Sequence, residues 1–386
     1  MPVLGGLQEA VSQLAGELKA QGHEVNVIAN RYPRRLKRHE IIDDISVTRM
    51  HFPGVYLKSL KLPRIAKYIA GLLIAPVNYL RLLMLLRGQR PNVVNIHFLG
   101  SQAPFAMLAS KMLGIRCVVS LHGDDVEGLP FRSKIDLWLF RKVLSGADYV
   151  TACSEYLLNA AKKLTPEIEG KSTAIHNGIR PEEFNDILPY HHAKPYIFAG
   201  GRFVRTKGFD VLLKAYSIAA EKGLQADLIL AGDGPEKERL ISLAEDLKLQ
   251  VVLRNSTPQP FNSKPLDPQH SEVIFWGNAE RVEMKRLMKG SELVVVPSRK
   301  ESFGIVALEA LAAGKKVVAA RTGGLPEILE NAGTARLVRP EDPGGLAEGI
   351  RLTLQNKTES IVNDLKEKSW ETVSKRYLDI FIRINT

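Results

Sequence analysis

A β-branched run that ends in a glycine-bearing turn and opens onto a helix is hard to fold as anything but a layer of parallel α/β structure. Residues Ser291 to Val296, SELVVV, have the length and composition of a buried parallel strand. Pro297 to Glu327 follow, PSRKESFGIVALEALAAGKKVVAARTGGLPE. Ser302 reads as a helix N-cap, Ile305, Leu308, Glu309 and Leu311 recur at helical spacing, and Gly314 closes the helix before the next apolar run, Val317 to Ala320. This order places Glu301 in the turn and Glu309 about two helical turns on, roughly 12 Å of rise. In an open α/β sheet such turns lie at the carboxyl ends of the strands, where ligands bind, and the N–H groups of a helix start attract phosphate. One carboxylate can then face the reacting end of a ligand while the other holds hydroxyls at its nucleoside end.

The same grammar recurs along the chain. Val93 to His97, Arg116 to Leu121 and Tyr149 to Ala152 read as buried strands, with helices at Pro104 to Leu113 and Ile135 to Leu144 between them. His122-Gly123-Asp124-Asp125 comes directly after a strand, which puts His122 at its carboxyl end. His176-Asn177-Gly178-Ile179 follows the strand Ser172 to Ile175, and its Asn-Gly pair fits a simple type I′ turn. Pro181 to Pro195 is polar and reads as a linker; its paired His191 and His192 lack further ligand partners nearby, so no metal is expected. Beyond it, Tyr196 to Ala199 runs into Gly200-Gly201-Arg202 and then Lys207-Gly208, ahead of a helix from Asp210 to Ala220. Arg202 and Lys207, five apart across that turn, can converge on a diphosphate. Leu228 to Ala231, Gly232-Asp233-Gly234-Pro235 and a helix from Glu236 to Leu247 repeat the pattern, with the glycines serving either a tight turn or a phosphate. Leu253 to Ser271 is a polar, proline-rich insert too long for an ordinary connector, read as a mobile segment or a lid.

Taken together, these motifs resemble the family 4 retaining glycosyltransferases of the GT-B fold. The resemblance is carried by the E-x7-E pair Glu301 and Glu309, the SFG after Glu301, Gly323-Gly324-Leu325-Pro326-Glu327, and an H-G-x-D as His122, Gly123 and Asp125. It is extended by Asn177-Gly178-Ile179, Gly201-Arg202 with Lys207-Gly208, the G-x-G-P at 232–235, and Phe275-Trp276-Gly277. It implies an α/β chain of two Rossmann-like, doubly wound parallel-sheet domains facing a cleft. An acceptor-binding domain would span residues 1–188 and a nucleotide-sugar-binding domain residues 189–360, with a final helix in 361–386 crossing back to the first. It also implies roles: Arg202 and Lys207 on the leaving diphosphate without a metal, and N–H donors from Phe303, Gly304, Ile305 and Val306. Glu309 would hold the ribose hydroxyls, Glu301 the donor sugar, and His122 the sugar or the acceptor hydroxyl. Gly5 and Gly6 would approach the donor phosphates; read from the residues alone, they are equally a flexible terminus. No strand-like run precedes them: either the start is lost or misassigned, or the first domain lacks its first strand, which would leave neighbouring strands unpaired.

Composition narrows the alternatives. With 45% hydrophobic and 25% charged residues the chain is an ordinary globular protein, and its length favours two domains. Cys117 and Cys153 lie in apolar runs without ligand spacing and read as inert core residues of a reducing compartment. The net charge of +11 asks for an anionic partner. No RNA-binding aromatic motif, finger or basic repeat is present, which ranks nucleic acid last. The basic run Arg31 to Arg38 and the Lys58 to Arg87 segment read either as wet faces or as a surface for an anionic bilayer. Pro76, Asn78 and Arg81 interrupt Tyr68 to Leu86, so no spanning helix is expected. The expectation is a retaining, metal-independent hexosyltransferase, cytoplasmic or peripheral on the inner membrane face. It moves a sugar from a UDP- or GDP-sugar to a hydroxyl of a lipid-linked, lipopolysaccharide or exopolysaccharide acceptor and needs no further cofactor. A nucleotide-sugar epimerase of the same fold and an inactive scaffold or partner subunit are the competing readings.

Overall fold

The computed structural model describes residues 6–32, 35–52, 64–254, 271–356 and 365–386. Gly5 and most of the insert, residues 255–270, lie outside them. The chain forms two compact units, Met1–Gly178 with Trp370–Thr386, and Ile179–Ser369.

In unit 1 the elements run α1 (Gly6–Ala20), β1 (Asn26–Asn30), β2 (His39–Ile42), β3 (Ile45–Met50), α2 (Arg64–Gln89), β4 (Val93–His97) and α3 (Ala103–Leu113). Then come β5 (Arg116–Leu121), α4 (Asp124–Glu127), α5 (Lys134–Gly146), β6 (Tyr149–Ala152), α6 (Glu155–Leu164) and β7 (Ser172–Ala174). Strands β4, β5, β6 and β7 form one parallel ladder in that order. A second ladder runs β1-β3-β2, and among the described residues β1 pairs only with β3 and β4 only with β5. The β2–β3 hairpin, absent from the sequence reading, turns on Asp43 (φ 48) and Asp44 (φ 60). Two consecutive residues with positive φ are the signature of a two-residue hairpin turn, here built from Asp-Asp rather than the more legible Asn-Gly. Helix α2 runs through Pro76. No helix among the described residues is long and apolar enough to cross a membrane.

Unit 2 holds β8 (Tyr196–Gly200), α7 (Phe209–Glu221), β9 (Asp227–Ala231), α8 (Lys237–Asp246), β10 (Gln250–Leu253), β11 (Glu272–Gly277), α9 (Arg281–Gly290) and β12 (Leu293–Val296). It continues with α10 (Ile305–Ala312), β13 (Lys316–Ala320), α11 (Leu325–Leu329), β14 (Ala335–Val338) and α12 (Pro343–Gln355). Its seven parallel strands are ordered β10-β11-β9-β8-β12-β13-β14. Strands β8, β9, β12 and β13 are buried along almost their whole length, which is why they read as continuous apolar runs rather than alternating ones. On one face Phe203, Phe209, Leu212, Tyr216 and Phe275 form a core with Leu346 and Ile350 of α12. The chain winds outward from β8 to β9 and then resumes at β12 on the other side, so a topological switch point lies between β8 and β12.

A last helix, α13 (Trp370–Arg383), belongs to unit 1, where Trp370, Val373, Tyr377 and Ile380 pack with Ala10 and Leu14 of α1 and Val118 of β5. The division between units falls at Gly178 rather than 188, because the segment read as a linker is packed into unit 2. Phe184 is buried, Glu183 pairs with Arg281 at 2.9 Å and with Lys285, and Tyr190 N–H donates to the Arg286 carbonyl at 2.9 Å. His192 Nε2 lies 2.7 Å from Asp227 Oδ2, both side chains buried. Gly178 is not a type I′ turn residue, since its φ is not positive; a Cβ there would meet the Trp370 ring at 2.6 Å. Its missing side chain makes room for the indole.

Candidate active site

The switch point predicts a crevice at the carboxyl ends of β8 and β12, and the two loops that leave those ends carry most of the sequence-predicted residues. The first loop is pinned by Phe203, fully buried against Phe209 with ring centroids 4.9 Å apart. Phe203 N–H donates to the Asp233 carbonyl at 2.9 Å, and Gly201 N–H to the Ala231 carbonyl at 2.9 Å. Gly232 and Gly234 have φ of 150 and 157, and any side chain on either would strike the backbone of Gly201 or Phe203. In this structure, then, the G-x-G-P glycines let one turn lie flat on the loop that bears Arg202. A 3-10 turn, Arg205–Lys207, leads to Gly208 (φ 69), which starts α7 so close to the Pro297 carbonyl that a Cβ would collide with it.

The second loop answers it. Lys207 Nζ donates to Glu301 Oε2 at 2.6 Å, and the Ser298 hydroxyl donates to the same oxygen at 3.0 Å. Both partners are largely covered, with 32% and 14% of their side chains exposed. Gly323 (φ 56) presses on the Glu301 backbone, and Gly324 N–H donates to the Glu301 carbonyl at 3.0 Å. The GGLPE motif therefore acts as the floor under Glu301. Helix α10 begins later than a Ser302 cap implies: Gly304 (φ 110) takes the N-cap position with no side-chain cap. Phe303 is buried, and Ile305 and Val306 open the first turn with their N–H groups directed out of the helix start. Glu309, half-buried, is one turn into this helix instead of two. Arg202 is exposed on the first loop.

A residue the sequence reading passed over ties the two loops together. Arg299 donates to both carboxylate oxygens of Asp210, at 2.6 and 3.0 Å, to the Arg205 carbonyl at 2.9 Å, and to Glu341. Its own N–H donates to the Thr206 carbonyl at 2.9 Å. The hydrogen bonds it donates to Asp210 and then to Glu341 hold its guanidinium above its usual range. Burial pushes the Asp210 carboxyl up, but Arg299 more than offsets this and leaves it below the ordinary carboxylate value. An arginine two residues before a candidate acid, with an aspartate three residues after a candidate lysine, is the signal that would have found it.

In unit 1, His122 follows β5 and its Nε2 lies 3.0 Å from Nδ1 of His97 at the end of β4. The buried Asp125 carboxylate shapes the loop by accepting from Gly123 N–H at 2.7 Å and His122 N–H at 3.1 Å. Burial, and then the neighbouring His97, hold His122 well below the usual imidazole range, so it is a neutral hydrogen-bonding group at pH 7. Burial alone pushes His97 down to about 4. Since the unfolded chain protonates such a histidine near pH 6.5, it binds more protons than the folded one between that pH and 4. Stability of unit 1 is expected to fall on acidification through this window, by up to about 3 kcal/mol for His97 alone. Thermal unfolding of wild type and His97→Asn between pH 4 and 7 checks this; equal slopes in the two would refute it. Gly6 is exposed at the start of α1.

Comparison with known proteins gives the family and the fold. The family described as Glycosyl transferases group 1 matches residues 194–356, and Glycosyltransferase Family 4 matches residues 4–183. The N-acetyl-alpha-D-glucosaminyl L-malate synthase of Bacillus anthracis is 25% identical, over 97% of this chain and 91% of its own. D-inositol 3-phosphate glycosyltransferase 1 of Catenulispora acidiphila is 29% identical, over 91% and 83%. Anabaena HepE, solved in complex with UDP and glucose, superposes with a TM-score of 0.69 at 19% identity, covering 98% of this chain and 96% of that one. Two parallel-sheet α/β units, the paired loops at a switch point and matches that span both units lead to one assignment: the chain belongs to the family 4, group 1 glycosyltransferases of the GT-B fold.

Proposed function

We propose that the chain transfers a hexosyl group from a UDP- or GDP-sugar to an acceptor hydroxyl with retention at the anomeric carbon and without a metal ion. The observation that carries this reading is the Lys207–Glu301 pair at the switch point of unit 2. An ammonium has three N–H donors; Glu301 takes one, and two remain for diphosphate oxygens. With Arg202 on the same loop and the uncapped start of α10 opposite, cationic and N–H donors surround the place where the leaving group's charge grows. Glu301, fixed by Lys207 and Ser298, orients the donor sugar, and Glu309 holds the ribose. A neutral His122 suits hydrogen bonding to a sugar or acceptor hydroxyl and does not add charge. The reaction then rests on orientation and leaving-group stabilisation, which favours front-face attack over a covalent intermediate.

The acceptor is read as a saccharide hydroxyl carried on a lipid, lipopolysaccharide or exopolysaccharide, met at the cytoplasmic face of a membrane. Support comes from the +11 net charge and the basic character of unit 1. The named relatives use malate and inositol phosphate, small anionic acceptors by their titles, so acceptor choice varies on one scaffold.

Thermal unfolding with UDP, GDP, ADP and their common sugars tests the donor site. A nucleotide at about a hundred times its Kd is expected to add roughly 2.7 kcal/mol of stability, and Glu309→Ala to remove most of that gain. No shift with any nucleotide in a folded chain would overturn the reading in favour of an inactive scaffold; product analysis separates transfer from epimerisation.

A further inference from the structure

The outer surface of unit 1 carries an apolar stripe that its core does not use. On α2, Val77, Leu80 and Met84 are exposed and fall within about 60° of arc at roughly 100° per residue. Helix α3 lies alongside: Tyr79 of α2 hydrogen-bonds Met112 Sδ at 2.7 Å, and Met112 is itself 62% exposed with Leu108 one turn back. On its other side α3 meets α5, where Lys111 Nζ lies 2.9 Å from the position a Gly146 Cβ would take. Helix α5 in turn exposes Ile135 and Trp138, the latter 57%. Three neighbouring helices thus present large apolar groups to solvent.

The charge around the stripe is predominantly positive. Residues 75–113 contain Arg81, Arg87, Arg90 and Lys111 and no Asp or Glu. Arg81 and Arg87, both exposed, flank the α2 stripe on opposite sides. Helix α5 adds Lys134, Arg141 and Lys142 against a single acid, Asp136, which receives a hydrogen bond from Ser133 at 2.7 Å. A second copy of the chain fits poorly, because a two-fold contact would set these basic rims against each other. An anionic surface that is apolar just beneath its charge fits well.

We propose that the α2–α3–α5 face docks on an anionic lipid bilayer, with the apolar side chains seated at headgroup level and the flanking Arg and Lys reaching lipid phosphates. Long basic side chains can lie along apolar surface and keep their heads at the interface, and an exposed Trp suits the same depth. The proposal deepens the membrane-carried acceptor reading, yet it fails separately from the donor chemistry, since vesicle binding is measured without turnover.

Trp276 and Trp370 are buried, so Trp138 is the exposed tryptophan of the chain and reports directly. The full chain is mixed with vesicles of phosphatidylcholine alone or with about 30% phosphatidylglycerol added. Expected results are co-sedimentation with the anionic vesicles only, a blue shift of Trp138 emission, and shielding from an aqueous quencher. Val77→Ser with Leu80→Ser and Met84→Ser, and separately Arg81→Glu with Arg87→Glu, should each weaken partitioning about tenfold or more. No binding to anionic vesicles, or binding that leaves Trp138 open to quencher, overturns the proposal. Concentration-dependent dimers that shield Trp138 without lipid would assign the face to a second copy instead.

Discussion

Lys207→Ala is expected to lower kcat by about 10²–10³, equivalent to roughly 2.7–4 kcal/mol of lost transition-state stabilisation, while the fold survives. The asymmetry follows from where the ammonium sits. As a folding element it makes one partly screened ion pair with Glu301, a class of contact worth about 1 kcal/mol or less. In the proposed reaction it faces the diphosphate, whose charge rises as the bond to the donor sugar breaks, in a crevice walled by two loops. Lys207→Arg separates charge from shape: a guanidinium keeps the cation but not the compact fit to Glu301 and Ser298, so partial activity is expected. Steady-state kinetics with saturating donor, alongside urea unfolding, makes the measurement. A fully active, folded alanine variant would show that the lysine has no part in the chemistry.

The second large effect belongs to Arg299. Arg299→Ala is expected to destabilise unit 2 by about 2–4 kcal/mol, because it leaves the largely covered Asp210 carboxylate without its bidentate partner and uncouples the Arg205 and Thr206 carbonyls from the second loop. The partial exposure of both side chains places the estimate below that for a fully buried pair. Donor affinity should fall as well, even at temperatures where the variant is folded, since Arg299 holds the Lys207 turn in register with Glu301. A double-mutant cycle with Asp210→Ala gives the decisive reading: the two losses should be strongly less than additive. Simple additivity would mean that the contact is incidental.

Much of this arrangement was legible in the residues. Strands β4, β5 and β6 read correctly to the residue because each is a short apolar run bounded by polar or glycine positions, and buried parallel strands tolerate little else. The alternation of such units implied parallel, doubly wound sheets, while the GT-B class came from the resemblance carried by the Glu301–Glu309, His122-Gly123-Asp125 and Gly201-Arg202 motifs. What escaped the sequence was mostly tertiary. The Asp43-Asp44 hairpin lacks the usual glycine. The 181–195 stretch looks like a linker by composition but is held by Glu183, Tyr190 and His192 on partners far along the chain. At the site, the helix start was misplaced because a glycine with φ 110, not a serine side chain, sets it. The roles of Gly232, Gly234 and Gly323 became visible only once the backbones they lie against were seen. Charge patterning behaved likewise: the sequence pointed to the Arg31–Arg38 run and α2, whereas the exposed apolar stripe continues over α3 and α5.

The chain's passage between units has a consequence for biosynthesis. Gly178 lies against Trp370, and Ile179 N–H donates to the Lys368 carbonyl at 2.8 Å with a parallel bridge to Ser369. Unit 2 is therefore an uninterrupted stretch whose two ends meet, whereas unit 1 takes its last helix from more than 190 residues downstream of Gly178. On the ribosome, unit 2 can reach its final packing while unit 1 still waits for Trp370, Val373, Tyr377 and Ile380 to emerge and cover α1. Until then the apolar groups of α1 and β5 that α13 shields stay open to water. The slower partner in maturation is the one translated first.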